Sequence, residues 1–239
     1  MTEIKFRSDV TVHPMKTSAS DQDVLWAARV STQGEDSLDE VYNDPTRSKG
    51  LINYLMRDRH GSPFEHNSMT FFVQAPIFVF REFMRHRVGW SYNEESGRYK
   101  ELEPVFYVPG PDRKLVQEGR AGKYSFVDGT SEQQETVSGL LRENSHECYW
   151  MYREMLQKGV AREVARMCLP VNIFSSMYAT CNARSLMHLL GLRTISEDAT
   201  FPSFPQREIE MVAEKMEAEF AKLMPLTYEA FVKNGRVAP

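Results

Sequence analysis

Cysteine is scarce in this 239-residue chain. Cys148, Cys168 and Cys181 form no close-spaced pair, and their odd number argues against a complete disulfide framework, so reduced thiols are expected. Each lies in an apolar setting (ECYW, RMCLP, YATCN) without an evident activating group, and all three read as packing residues. Long apolar runs are missing as well. None approaches the ~18 residues of a membrane span, and the opening MTEIKFRSDV lacks the apolar core of a secretory signal. A cytosolic (cytoplasmic) location is the expectation. Positive charge is not in excess, the net being -4, so no protein-wide field would draw the chain onto a nucleic-acid backbone. Gly-x-Gly-x-x-Gly and Gly-Lys-Ser/Thr loops are absent too, which leaves dinucleotide Rossmann and P-loop mechanisms without support.

What remains has the composition of a globular protein, 41% hydrophobic and 26% charged, which excludes long disorder or a fibrous repeat. Ser20, with Asp21 and Asp23, opens a helix over 21–31. Asp44-Pro45 opens a second, with Leu51, Ile52, Leu55 and Met56 on its apolar face and Gly61 as its stop. Ser68 to Gln74, rich in Thr, Phe and Val, reads as a strand, and Pro76 leads into a helix that Gly89 ends. Residues 100–130 hold three prolines and four glycines around short β-like pieces such as Val105 to Val108 and read as a loop-rich excursion. From Thr130 to Gly159, a stripe of Val137, Leu141, Cys148, Met151, Tyr152 and Met155 marks a long helix of about 40 Å at ~1.5 Å per residue. A short helix over 160–168 sets Arg162 and Arg166 four apart, and Ile173 to Thr180 reads as a strand. Asn182 caps a helix whose Leu186, Leu189 and Leu190 face the core while Arg184 and His188 share the other side; Gly191 stops it before Arg193. The tail over 205–234 is an amphipathic helix or helix pair. These elements make an α+β fold: a single domain over 1–239 with a largely antiparallel sheet flanked by helices, one of them long, near 131–158.

Chemistry concentrates in one segment, RHRVGWSYNEESGRY, Arg85 to Tyr99. Arginine presents a planar fork of donors matched to phosphate oxygens, and Ser96-Gly97 lets backbone N–H groups approach an anion. Between positions 81 and 100, five basic residues (Arg81, Arg85, Arg87, Arg98, Lys100) stand against three glutamates, in a chain that is negative overall. A solvated helix end with arginines paired to Glu82, Glu94 and Glu95 is the bland alternative; the density of donors favours an anion site. A nucleic-acid or regulatory binding module, with Trp90, Tyr92 and Tyr99 as stacking groups, is disfavoured by the overall acidity. His60 and His66, six apart with no third partner, make no metal site.

The segment resembles the signature of the flavin-dependent thymidylate synthases, Arg-His-Arg followed by Ser-x-Asn-Glu-x-Ser-x-Arg-Tyr. Two further blocks match in the family's order: His60-Gly-Ser-Pro-Phe-Glu-His66, and Ala165-Arg166-Met-Cys-Leu-Pro170 continuing to Asn182-Ala-Arg-Ser-Leu-Met-His-Leu-Leu-Gly-Leu-Arg193. The chain departs from the pattern by one extra residue after Arg-His-Arg, by Glu82 where many relatives carry Gln, and by His188 in place of Asn. A conventional thiol-dependent thymidylate synthase would need a Pro-Cys-His nucleophile, which none of the three cysteines supplies.

The resemblance implies conversion of dUMP to dTMP, with methylenetetrahydrofolate as carbon donor, FAD as hydride carrier and NADPH as reductant. It implies FAD contacts from Ser62, Arg85, His86, Arg87, Glu94, Asn182, Ala183, Arg184 and His188. Around dUMP it implies Glu82, Phe83, Met84, Arg85, Glu94, Glu95, Ser96, Gly97, Arg98, Arg166 and Arg193. Arg193, Ser96 and His60 are the implied catalytic residues, Arg193 acting at the pyrimidine and His60 assisting the folate step. A homotetramer with active sites shared between chains is the implied assembly, with no nucleic-acid or membrane partner.

Overall fold

Capped helices fix the frame. A computed structural model describes residues 3–35, 44–120 and 123–239. At the start of α1 (Asp21–Gln33), the Asp23 carboxylate accepts from both the backbone N–H and the hydroxyl of Ser20. Asp44 accepts from the N–H groups of Thr46 and Arg47 to open α2 (Pro45–Arg57), which buries Ile52, Leu55 and Met56. This helix ends four residues before Gly61, through Arg59 at φ 64 rather than through glycine. A 3-10 turn, Ser62–Glu65, follows, then β3 (Ser68–Pro76), in which alternate residues Met69, Phe71, Val73 and Ala75 are fully buried.

The next element is shorter than its sequence suggests. Helix α3 (Ile77–Phe83) ends six residues before Gly89, so Arg85, His86 and Arg87 lie in a turn and not on a helix. A strand without a sequence forecast, β4 (Trp90–Glu94), begins right after it. The excursion over 100–130 contains β5 (Val105–Tyr107), paired in parallel with β1 (Lys5–Arg7), and an antiparallel hairpin of β6 (Val116–Arg120) and β7 (Lys123–Val127). The β1–β5 pairing is an exception to the antiparallel expectation. Strand β2 (Thr11–Ser18) joins β3, β8 (Phe174–Cys181) and β4 in a four-stranded sheet of order β2-β3-β8-β4.

The long helix α4 (Ser131–Gln157) is 27 residues, opened by a Thr130–Gln133 capping box. It buries only Ser145, Tyr149 and Tyr152, and leaves Leu140 and Trp150 about two-thirds exposed. Arg162–Ala165 forms the one-turn α5, continued by a 3-10 turn, Arg166–Cys168. Asn182 caps α6 (Ala183–Arg193) by accepting from the Ser185 N–H, and this helix runs through Gly191 to include Arg193. Gly191 is a packing glycine: a Cβ there would stand 3.0 Å from the Arg236 carbonyl oxygen. The tail is a helix pair, α7 (Arg207–Leu223) and α8 (Pro225–Lys233). Asp21 of α1 caps α8, accepting from the N–H groups of Leu226 and Thr227 and from the Thr227 hydroxyl.

Two compact units emerge. The first comprises the chain up to Thr11, Gln74–Phe83 and Asn93–Met177. Its core is Leu102, Phe106, Tyr149, Tyr152, Ala165 and Ile173, with the Tyr152 hydroxyl accepting from the Leu102 N–H. The second comprises Val12–Val73, Met84–Tyr92 and Tyr178–Pro239, with Ile52, Met56, Phe64, Leu186, Leu190, Val212, Met216, Phe220 and Phe231 inside. Each of those larger side chains contributes roughly 1.5–3 kcal/mol by leaving water. Among the described residues, no helix is long and apolar enough to cross a membrane.

Candidate functional site

In the second unit, the turn after α3 is held by the start of α6. Gly89 sits at φ 69, and a Cβ there would fall 2.1 Å from the Ser185 hydroxyl. That hydroxyl donates to the Val88 carbonyl at 2.8 Å, and the Asn67 side-chain oxygen accepts from the Ala183 N–H at 2.7 Å. The Tyr92 hydroxyl donates to the His86 carbonyl at 2.7 Å. Fixed this way, the His86 ring accepts at Nε2 from Nε–H of Arg193, 3.2 Å away. Burial first, then the charge of Arg193 and of His188, lowers the His86 pKa to about 4. The imidazole is therefore neutral near pH 7, with its proton on Nδ1. Flanking it, Arg85 and Arg87 stand exposed.

Arg184, near the start of α6, is held at two of its nitrogens. Its Nη1 meets Glu65 Oε1 at 2.6 Å and its Nε donates to the Pro239 carbonyl oxygen. Gly61 lies flat against it: a Cβ there would be 2.5 Å from the guanidinium carbon. Burial, then Arg184 and Arg59, lowers the pKa of His188. A fixed fork and exposed arginines are donors suited to a diphosphate, so the residues present fit FAD. Ser62 is exposed at the start of its 3-10 turn. His60 is not drawn into this cluster, and its ring stacks on Tyr54 with centroids 5.5 Å apart.

The first unit contains a cavity of about 290 Å³ lined by Glu94, Glu95, Gly97, Glu163, Arg166, Ser175 and the apolar Ile77, Leu102, Met167 and Leu169. Two sequence blocks some seventy residues apart thus converge on one space. The Ser175 hydroxyl donates to Glu94 at 2.8 Å, and burial pushes the Glu94 carboxyl up. Glu95 pairs with Lys100 at 2.8 Å, and Arg98 with Glu163 at 3.3 Å. Ser96 shapes the turn: its carbonyl accepts from the N–H groups of Tyr99 and Lys100, and its hydroxyl from that of Arg98.

The expected sites are therefore divided. Of the FAD set, only Glu94 belongs to the first unit; of the dUMP set, Met84, Arg85 and Arg193 belong to the second. Phe83 is fully buried and does not line the cavity, nor does Glu82. Sequence reading gave no role to Ser175, which lies in no motif, or to Met167, which lies inside the Ala165–Pro170 block; Ser175 reaches Glu94 only because β8 lies beside β4. Among the described residues, no three His, Cys, Asp or Glu gather as a metal site would require.

Comparison with known proteins bears on what this arrangement does. The model of the family described as thymidylate synthase complementing protein matches residues 15–226. A flavin-dependent thymidylate synthase of Streptomyces avermitilis is 76% identical over 234 residues, covering 98% of this chain and 95% of the relative. One from Tropheryma whipplei is 55% identical over 235 residues, covering 98% and 97%. Among solved structures, a UMP/dUMP methylase, PolB from Streptomyces cacaoi, bound with 5-Br dUMP, superposes with TM-score 0.94 at 56% identity, covering 99% of this chain and 100% of that one.

Proposed function

The chain belongs to the thymidylate synthase complementing protein family, and from that membership we propose that it is a flavin-dependent thymidylate synthase that methylates dUMP to dTMP. FAD supplies hydride transfer when bound; methylenetetrahydrofolate supplies the carbon and NADPH the electrons. The observation that carries this reading is the cavity joining Glu94, Glu95 and Gly97 to Arg166. The phosphate of dUMP would be held there by Arg166, the N–H groups of Ser96 and Gly97, and Arg98. Releasing Arg98 from Glu163 costs little because both side chains are more than half exposed.

Arg193 is the residue for the pyrimidine. A guanidinium cannot act as a base, its pKa exceeding ~12, so its role is electrostatic: it favours the N3-deprotonated uracil and raises electron density at C5. Accepting from Arg193, His86 holds that charge without adding a second one. In the cofactor site, Arg184, His188, His86, Arg87 and Arg85 bind and orient the flavin, with Ser62, Asn182 and Ala183 at its edges.

The chain acts as one domain in the cytoplasm and assembles as a homotetramer with shared active sites. Arg85, His86 and Arg87 lie in a turn, so helix geometry supplies no argument for that sharing. Support comes instead from apolar side chains left in water, Leu140 and Trp150 on α4 and Trp26 and Val30 on α1. A monomer by light scattering would contradict it.

Calorimetric titration of dUMP at saturating FAD tests the substrate site. Arg166→Ala should weaken dUMP roughly tenfold or more while FAD affinity stays as in wild type. Equal dUMP affinity in the two proteins would remove the cavity from the reading.

A further inference from the structure

Arg184, the arginine assigned above to the flavin, is fixed in part by a segment that no motif marks. That segment, residues 235–239, is anchored at three points. At its base, Arg236 takes φ 55 and sends a guanidinium only 5% exposed to both oxygens of Glu217, at 2.7 and 2.9 Å, and to the Thr194 hydroxyl at 2.8 Å. In the middle, Arg59 Nη1 donates to the carbonyls of Val237 at 3.2 Å and Ala238 at 2.7 Å. At the end, the Pro239 carbonyl accepts from Arg184 Nε.

We infer that Val237–Pro239 is a positioning strap for the cofactor-binding arginine, and that Arg59 is the residue that pins the strap. This rests on the reading of Arg184 as a flavin ligand. With Glu65 on Nη1, the strap on Nε and Gly61 against one face, the fork is held in one orientation before any ligand arrives. A fork held in advance loses less freedom on binding than one free to rotate, and gains affinity accordingly. The anchors also decide the sign. A segment meant to compete with the cofactor would have to leave, whereas this one is tied by a buried bidentate pair at its base and by two carbonyls in its middle. Arg59 itself is exposed, so replacing it releases the strap without opening the core.

The test compares the wild type, Arg59→Ala, Arg59→Lys and a chain lacking residues 237–239. FAD affinity is read by quenching of flavin fluorescence, dUMP affinity at saturating FAD, and folding by thermal melting. Arg59→Ala and the shortened chain should bind FAD roughly tenfold more weakly, with Arg59→Lys recovering part of the loss and dUMP affinity unchanged. Should the shortened chain fail to fold, Arg59→Ala decides. Unchanged FAD affinity overturns the inference; so does tighter FAD binding, which would make the strap a competitor, and so does equal weakening of both ligands, which would make it merely structural. Failure of the wild type to bind FAD would refute the flavin reading of Arg184 instead.

Discussion

Arg193 donates Nε–H to Nε2 of His86 at 3.2 Å, and this contact allows the imidazole only its neutral form. Between pH 6.5 and about 4 the unfolded chain binds a proton that the folded chain refuses, so this contribution to stability is complete above 6.5 and is lost as pH falls toward 4. His188, also lowered, acts in the same direction. Urea midpoints measured across that window should fall with pH in the wild type and fall less steeply in His86→Gln, whose amide oxygen can still accept from Arg193. Parallel slopes would show that His86 does not titrate this way.

If Arg193 acts on the pyrimidine as proposed, Arg193→Ala should keep FAD and still oxidise NADPH while dTMP formation drops roughly a hundredfold or more. Lysine there should rescue only in part, being a point charge without the planar fork. Product formation at the wild-type rate by the alanine variant would take Arg193 out of the mechanism.

No thiol should form a bond to dUMP. Burial raises the pKa of all three cysteines, most strongly in fully buried Cys181, so none is a thiolate at neutral pH. Cys148 and Cys168, expected to be packing groups, are only partly buried, and the Cys168 thiol donates to the Cys148 carbonyl. The triple alanine variant should still make dTMP, with stability lowered by about 1 kcal/mol per site. A trapped dUMP–cysteine adduct in the mass spectrum would contradict this.

Much of the frame was legible because its signals are local. Asp23, Asp44 and Asn182 each accept from N–H groups within three residues, and β3 shows its buried face by alternation. Gly89 and Gly191 misled for one reason: each is glycine for what the fold brings against it, Ser185 in the first case and the Arg236 carbonyl in the second. Family motifs gave Glu94, Glu95, Gly97 and Arg166 of the cavity, but no role for Met167 and no sign of Ser175, whose places depend on a 3-10 turn and on strand order. The pairing of Arg59 with Val237 and Ala238 was illegible, since these contacts join residues 178 and 179 apart.

Asp21 provides a test of the fold alone. It caps α8 across more than two hundred residues with three hydrogen bonds, so Asp21→Ala leaves those donors without their acceptor. The expected loss is about 1–3 kcal/mol by urea denaturation. A loss within a few tenths would mean that water caps α8 equally well.

The most direct test of the whole account is anaerobic turnover. The purified protein is mixed with FAD, NADPH, methylenetetrahydrofolate and dUMP, and the nucleotides are separated. The account predicts dTMP that requires all four additions and disappears when FAD is withheld from the apoprotein. Complete recovery of unchanged dUMP from protein shown to bind both FAD and dUMP would contradict it.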